Sequence, residues 1–353
     1  MPVFERVRDK SAPGLLAGVA LLLHILSAWL RLIPEVALRL LRCDALIVGY
    51  IGQGDMVALA PIARLLHKPV IFNPLVTLTD TLVEDRARLR VGSPPARIIA
   101  ALDELALRLA DLILVDTLEN GRYLHERFDV PTTKLVVVPV GADESIFYPG
   151  AVPVDRRDDL DVLFIGKFIP LHGIETIIQA AALLRERGAA ARIEIVGTGQ
   201  TYEAMRALAR QLGLDSAGNA LVWTDWIPFE QLGGRLRMAD VALGVFGDGE
   251  KAARVIPNKV FQSTACGVAT VTLDAPAIRT LLHDDVSALL IPPADPHALA
   301  DAIERLTDPL ARERIARAGR EAFERHGNLD ALASALTPVV AHIADASARA
   351  RPQ

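Results

Sequence analysis

Glycine and lysine residues follow two aliphatic runs in the second half of the sequence. Gly166 and Lys167 come directly after "VLFI", and Gly197 and Gly199 follow "IEIV". Runs of this kind are typical of buried strands in a parallel sheet. Ligands of such sheets bind beyond the carboxyl ends of the strands, where glycine lets the backbone approach them closely. We therefore expect these four residues to border a binding site.

A predicted helix beginning near Pro257 and Asn258 is the best candidate for a phosphate site. Proline is favoured at the first position of a helix, and the free N–H groups of that turn can bind a phosphate. Lys259 adds a cation where the helix dipole favours an anion, which a bound diphosphate would explain. Lys167 and Arg254 could supply further positive charge. The alternative is that each glycine serves only a turn and each cation is solvated.

An acidic segment in the first half, "TLTDTLVEDR", follows another predicted strand end and contains Asp80, Glu84, Asp85 and Arg86. It should therefore face the same cleft. A carboxylate in that position could orient an acceptor hydroxyl group. The alternative is a solvated acidic loop, and residues 84–92 are predicted to form a loop.

The elements that must position these residues change character along the chain. From residue 44 onward, aliphatic strands alternate with helices, which predicts parallel sheets covered on both faces. A polar, proline-containing stretch at residues 149–159 predicts a linker. The predicted divisions are 1–43 helical, 44–150 and 151–309 each a Rossmann-like domain, and 310–353 C-terminal helices. The predicted fold class is α/β, with two Rossmann-like domains facing a cleft.

The N-terminal segment is apolar from Gly14 to Leu30 and then carries charges at helical spacing. Pro34 is predicted to divide it into two consecutive amphipathic helices, because proline is poorly tolerated inside a helix. Three arrangements are open: the apolar faces pack on a sheet, lie in a membrane interface, or span the bilayer.

Composition argues against several classes of protein. The chain has 353 residues, 51% of them hydrophobic, and a net charge of −5, which provides no overall attraction to nucleic acid. Cys43 and Cys266 are its only cysteines, so neither a disulfide framework nor a cysteine-based zinc site is supported. A reducing, cytoplasmic location fits this composition, and no metal site is predicted.

Five segments occur in a characteristic order. They are "VLFIGKFIPLHGIETIIQAA", "IVGTGQTYEAMRALARQLGL", "WIPFEQLGGRLRMADVALGVF", "IPNKVFQSTACGVATVTLDAPAIRTLL" and "SALLIPPADPHALADAIERL". Together they resemble the C-terminal domain of the family 4 (group 1) retaining glycosyltransferases, of the "GKFIPLHG" type, which have the GT-B fold. The resemblance covers residues 112–306 well and residues 44–111 more loosely.

The resemblance implies that the second domain binds a nucleoside-diphosphate sugar and that the acceptor enters from the first domain. It implies a retaining mechanism with no cofactor and usually no bound metal, the nucleotide-sugar being a co-substrate. The family's basic residue after the first strand of this domain falls on Lys167, and a family lysine falls on His172. These positions face the diphosphate, whose developing negative charge the site must stabilise.

The resemblance also shows departures. The family's carboxylate for the ribose hydroxyls falls on Gln262, an uncharged amide, and its partner carboxylate eight residues earlier falls on Arg254. The base is expected near Trp226 and Ile227, although Trp226 could instead pack in the core. The family's opening strand and glycine-rich loop are not visible, so either the start is late or the first βα unit is missing.

Three functions are open. The first is transfer of a sugar from a nucleotide donor to a glycan or lipid-linked acceptor at the cytoplasmic face of a membrane, with membrane contact through residues 14–42. The second is a nucleotide-sugar-binding protein without activity, or a partner subunit, which Gln262, His172 and the missing first βα unit would favour. The third is a nucleotide-sugar epimerase, ranked last because its carboxylate and histidine set is not visible.

Overall fold

The first half of the chain forms a four-stranded parallel sheet with the strand order β1-β2-β3-β4. The computed structural model describes residues 15–150, 159–214 and 221–350. The strands are β1 Leu46–Val48, β2 Val70–Phe72, β3 Leu112–Val115 and β4 Leu135–Val137. The helices are α1 Leu15–Leu40, α2 Gln53–Leu65, α3 Pro94–Leu109 and α4 Leu118–Phe128, with a π-helix at Asp80–Asp85 and a 3₁₀ turn at Thr132–Lys134.

The second half forms a six-stranded parallel sheet. Its strands are β5 Leu160–Ile165, β6 Ala191–Val196, β7 Leu221–Thr224, β8 Val241–Leu243, β9 Ala269–Leu273 and β10 Leu289–Ile291. The helices that follow its strands are α5 Ile174–Glu186, α6 Tyr202–Gln211, α7 Phe229–Met238, α8 Glu250–Arg254, α9 Asn258–Ala265, α10 Pro276–Arg279 and α11 Pro296–Arg305. The chain then adds α12 Pro309–His326, α13 Leu329–Ala335 and α14 Thr337–Ala350.

The order of the second sheet locates its binding edge. The strands run β10-β9-β8-β5-β6-β7, so the winding direction reverses between β5 and β8. In doubly wound sheets, ligands bind at the carboxyl ends of the strands beside this reversal. The predicted α/β class with two Rossmann-like domains is therefore confirmed, and the site is expected beyond β5 and β8.

Both faces of the second sheet are buried, as its continuous aliphatic runs predicted. Successive side chains of a strand point to opposite faces. Val162 and Phe164 accordingly enter one apolar cluster, which contains α5 and α11. Leu163 enters the other, with Val260 and Phe261 of α9. Helices on both faces follow from this alternation of fully buried positions.

The C-terminal helices return to the first sheet. Val339 of α14 packs in a cluster with Ile71, Leu112 and Leu114, on the face of the first sheet opposite its main core. The stretch Pro309–Arg349 is, among the described residues, long and apolar enough to cross a membrane by length and composition alone. It comprises three separate helices, and Asn328 caps the second of them.

The prediction of two helices divided at Pro34 is wrong, because α1 is one helix with Pro34 inside it. Proline removes a single backbone hydrogen bond. Partly buried Leu32, Ile33 and Val36 pack against the core of the first sheet and hold the helix together around that defect. Of the three arrangements that the sequence left open, packing on a sheet is therefore the one observed for this part of α1.

Other boundaries differ by small amounts. The predicted loop at residues 84–92 begins later, because Glu84 and Asp85 belong to the π-helix. The short helix α8 was not predicted, and the predicted C-terminal helices are the three helices α12, α13 and α14. Most of the predicted linker at 149–159 lies outside the described residues, as do residues 1–14, so the proposed domain boundaries stay predictions.

Candidate functional site

The loops that follow β5 and β6 are pressed together at the carboxyl edge of the second sheet. A Cβ at Gly197, where φ is 136°, would lie 2.0 Å from the carbonyl oxygen of Gly166. A Cβ at Gly199 would lie 2.7 Å from the backbone nitrogen of Phe168. Both glycines are thus required because one loop backbone approaches the other. They shape the site, and the ligand contact expected of them stays a prediction.

Gly166 opens the space into which two polar side chains reach. A Cβ there would lie 2.6 Å from Nζ of Lys259 and 2.9 Å from Cε1 of His172. The structure thus brings Gly166, Lys259 and His172 together, although the sequence separates Lys259 from the other two by more than eighty residues. A glycine at residue 166 therefore leaves room for the ends of these two side chains.

Lys259 brings a buried amine without a polar partner into this space. Its Nζ is buried, lies 3.8 Å from the centre of the Phe164 ring, and has no hydrogen-bond partner among the described residues. Burying a charge without an acceptor is costly. Burial accordingly lowers the pKa of Lys259 well below its ordinary value. An anion placed beside Nζ would supply the missing acceptor.

His172 ends a 3₁₀ turn, Pro170–His172, and its Nδ1 contacts the carbonyl oxygen of Lys167. Burial, followed by the charge of Lys259, lowers the pKa of His172 well below its usual range. The ring is therefore neutral at neutral pH. Since a carbonyl oxygen only accepts, Nδ1 carries the proton and Nε2 is left as an acceptor. Lys167 itself is exposed.

Helix α9 carries three of the other predicted residues. Pro257 is its N-cap residue and Asn258 is its first helical residue, with no side-chain hydrogen bond capping the turn. The free N–H groups of that turn keep their capacity to bind an anion. Gln262 lies one turn further on and is half-buried. Lys259 therefore joins the helix N-terminus to the space beside Gly166.

The loop after β7 presents Trp226 to solvent. This side chain is 73% exposed, which excludes the alternative that it packs in the core. Ile227, its neighbour, is partly buried against the second cluster of the core. An exposed indole next to an anchored residue is free to contact a planar ligand.

Two predicted residues pair with each other across the two domains. Asp80 of the π-helix accepts a hydrogen bond from Arg254 Nη2 at 2.6 Å, and its other oxygen lies 2.7 Å from Lys251 Nζ. The guanidinium of Arg254 lies 3.7 Å from the ring centre of Tyr123. Thr117 of the first domain donates to the carbonyl oxygen of Arg254. Arg254 was expected to bind the donor; its Nη2 is paired with Asp80, while its buried Nε has no hydrogen-bond partner among the described residues.

Lys251 is a residue that sequence reasoning missed. It lies on the predicted strand–helix connection that proved to be α8, three residues before Arg254. That spacing places both side chains on one helical face. The spacing is a signal that could have found it, had the helix itself been predicted.

The remaining acidic residues border a cavity of about 220 Å³ between the domains. The side chain of Asp85 is 6% exposed, and its carboxylate lies 4.0 Å from Lys251 Nζ. Burial raises the pKa of Asp85, and the charge of Lys251 opposes that effect. Glu84 is more exposed and accepts a hydrogen bond from the Tyr123 hydroxyl at 2.9 Å. The alternative interpretation, a solvated acidic loop, is therefore wrong for Asp80 and Asp85.

The same cavity joins the two groups of predicted residues. Its walls include Pro170 and Leu171, from the turn that ends at His172. The acidic π-helix and the lysine-containing space thus lie on either side of one short turn. Among the described residues, no group of three or more His, Cys, Asp or Glu side chains is placed to hold a metal ion.

Residues 159–308 match a protein family described as glycosyl transferases group 1. The chain is related to the group 1 glycosyltransferases. A D-inositol 3-phosphate glycosyltransferase of Geodermatophilus obscurus is 30% identical over 299 residues, covering 79% of this chain and 64% of that protein. One of Thermomonospora curvata is 31% identical, covering 69% of this chain and 60% of that protein. The chain therefore spans less than two thirds of the length of these relatives.

Solved glycosyltransferase structures share the fold. Anabaena HepE, in complex with UDP and glucose, has a TM-score of 0.69 at 14% identity, covering 88% of this chain and 81% of its own. Sucrose-phosphate synthase of Thermosynechococcus elongatus has a TM-score of 0.65 at 20% identity, covering 82% and 72%. At these identities the likeness shows the fold alone, and the chemistry rests on the site itself.

Proposed function

We propose that this chain transfers a sugar from a nucleoside-diphosphate sugar to a hydroxyl group of a glycan or lipid-linked acceptor, with retention of anomeric configuration. The observation that carries the proposal is Lys259, whose buried Nζ lies beside Gly166 with no acceptor. A leaving diphosphate gains negative charge as its bond to the sugar breaks. Preorganised donors stabilise such charge most strongly where water is excluded.

The donor subsite follows from the residues around Lys259. The diphosphate would lie between Nζ of Lys259, the free N–H groups at the start of α9, and the side chain of Lys167. Neutral His172 would accept a hydrogen bond from a sugar hydroxyl through Nε2. Gln262 would bind the ribose through its amide, and Trp226 with Ile227 would contact the base.

The acceptor subsite is the cavity between the domains. Asp85 is buried beside it with a raised pKa, so it can accept a hydrogen bond from an acceptor hydroxyl. Glu84 lies at the more exposed side and could contact a second hydroxyl. Asp80 differs, because Lys251 and Arg254 already occupy both of its oxygens. We assign Asp80 and Arg254 to holding the domains together rather than to direct contact with substrate.

One comparison supports the donor class, because HepE was solved with UDP and glucose. The curated relatives are named for D-inositol 3-phosphate, which supports a hydroxyl-bearing acceptor but neither a glycan nor a lipid-linked one. For location, we propose the cytoplasmic side of a membrane, with contact through residues 14–42. Leu30 and Leu38 are exposed on α1 near the exposed basic residues Arg31 and Arg39, a combination that favours a lipid surface.

Release of free nucleotide from UDP- and GDP-sugars, measured with a panel of glycan and lipid-linked acceptors, tests the proposal. The wild type should turn over at least one donor. Lys167→Ala should lower that turnover by about 100-fold or more, the usual effect of removing one group that stabilises developing charge.

The matched control is Lys68→Ala. Lys68 lies just before β2, at the amino ends of the strands of the first sheet, which is the edge away from the cleft. Its turnover should equal that of the wild type. Binding of a nucleotide-sugar without turnover on any acceptor would contradict the enzyme assignment, and unchanged turnover in Lys167→Ala would refute the role of Lys167.

A further inference from the structure

Arg86 reaches the donor side of the cleft from the first domain. It directly follows the π-helix, and its carbonyl oxygen accepts a hydrogen bond from Gln200 Nε2 at 3.5 Å. Gln200 directly follows Gly199, in the loop after β6 of the second domain. The backbone of Arg86 therefore lies against the loop that borders the space beside Gly166.

The side chain of Arg86 is half-buried next to this loop contact. Its Nε is buried and has no hydrogen-bond partner among the described residues. Its positive charge helps to lower the pKa of His172, after burial and the charge of Lys259, and ahead of Lys167. On Asp85, its neighbour in sequence, the charge of Arg86 acts less than those of Lys251 and Asp80.

Two buried donors from different domains consequently lack an acceptor near the same histidine. They are Nζ of Lys259 and Nε of Arg86. An arginine is always charged in a protein, and an unpaired buried donor is costly. An anion that accepts from both groups would supply the partner that each of them lacks.

We propose that Arg86 is a ligand of the donor's diphosphate, supplied by the first domain. The proposal rests on the proposed function and adds a residue to its donor subsite. Arginine suits the position, since its planar fork can donate two parallel hydrogen bonds to phosphate oxygens. The diphosphate is then held from both domains, by Arg86 on one side and by Lys259 on the other.

Calorimetric titration of the full chain tests the role of Arg86. The probes are UDP and GDP, together with uridine and guanosine, which lack phosphate. Arg86→Gln should weaken binding of the diphosphate that the wild type binds by about 10- to 100-fold, the range for losing one charged hydrogen-bonding group. Its affinity for the matching nucleoside should not change.

Arg88→Gln is the matched control, since Arg88 is exposed and lies two residues further along the same segment. It should bind the diphosphate as the wild type does. An equal loss in Arg88→Gln would reduce the effect to general electrostatic attraction and overturn the proposal, as would unchanged affinity in Arg86→Gln.

Arg86→Lys covers the case in which Arg86→Gln does not fold. It keeps the charge but loses the fork, so a loss of a few-fold is expected, and an unchanged affinity would also overturn the proposal. Failure of the proposed function would look different. In that case the wild type itself would bind neither UDP nor GDP.

Discussion

Lys259 shows at the scale of one residue why a binding site costs stability. Its amine is buried beside Phe164 without an acceptor, and burial lowers its pKa well below the ordinary value of 10.5. Between the lowered pKa and 10.5 the unfolded chain binds more protons than the folded one. The folded state is therefore penalised at neutral pH, and the penalty shrinks as the pH rises toward 10.5.

Lys259→Met should accordingly stabilise the ligand-free protein near neutral pH by about 1–3 kcal/mol, the usual cost of burying an unsatisfied polar group. Methionine keeps the apolar stem beside Phe164. Thermal denaturation followed by circular dichroism measures the gain, which should shrink at alkaline pH. The same variant should lose the thermal protection that the bound nucleoside diphosphate confers on the wild type. A stability below that of the wild type would contradict the description of Lys259 as an unsatisfied buried group.

At the scale of single residues, the sequence predicted which residues lie together at the end of a strand, while their role in binding stays a prediction. Gly166 and Lys259 were expected at one site because carboxyl strand ends and the following helix starts meet at one edge of a sheet. The pairing of Asp80 with Arg254 was not predictable in this way. It depends on how two domains meet, and no local spacing encodes that contact. Arg86 likewise stands in a charged segment that resembles a solvated loop.

At the scale of elements, the π-helix of the first domain and α8 of the second form one ionic contact. Asp80 is 4% exposed and serves both Lys251 and Arg254. Removing one partner of a buried ion pair leaves an uncompensated charge, which costs about 3–5 kcal/mol. The two short helices thus connect the first domain to the second.

Asp80→Asn should therefore lower the free energy of unfolding by about 3–5 kcal/mol, because two buried cations lose their counter-charge. Urea denaturation of the full chain measures the change. Glu104→Gln is the control, since it breaks the exposed pair between Glu104 and Arg108. An exposed pair contributes little, so the control should change by less than about 0.5 kcal/mol. Equal effects in the two variants would mean that the contact between the domains is not a buried ion pair.

Most elements were predictable because each strand is an aliphatic run and each following helix is amphipathic. Helix α11 is an example, with Asp295 as its N-cap and Pro296 at its first position. The failures share a cause. Helix α1 continues through Pro34 because tertiary packing outweighs one lost hydrogen bond. The short helix α8 has too few residues for a periodic pattern to be recognised.

At the scale of the whole molecule, both domains face one cleft, and the C-terminal helix joins them. Val339 of α14 packs on the first sheet although α12 lies against the second, through Ile315. The alternation of strands and helices predicted two α/β units. It did not predict that the last helix returns to the first unit, because an amphipathic helix does not specify which sheet it covers.

The location of a bound nucleotide tests the central claim most directly, that a diphosphate binds at the carboxyl edge of β5. A crystal structure of the full chain soaked with UDP or GDP measures it. The expected result is a diphosphate within hydrogen-bonding distance of Nζ of Lys259, beside Gly166, with Arg86 on its other side. A nucleotide seated elsewhere, with Nζ of Lys259 still unpaired, would contradict the claim.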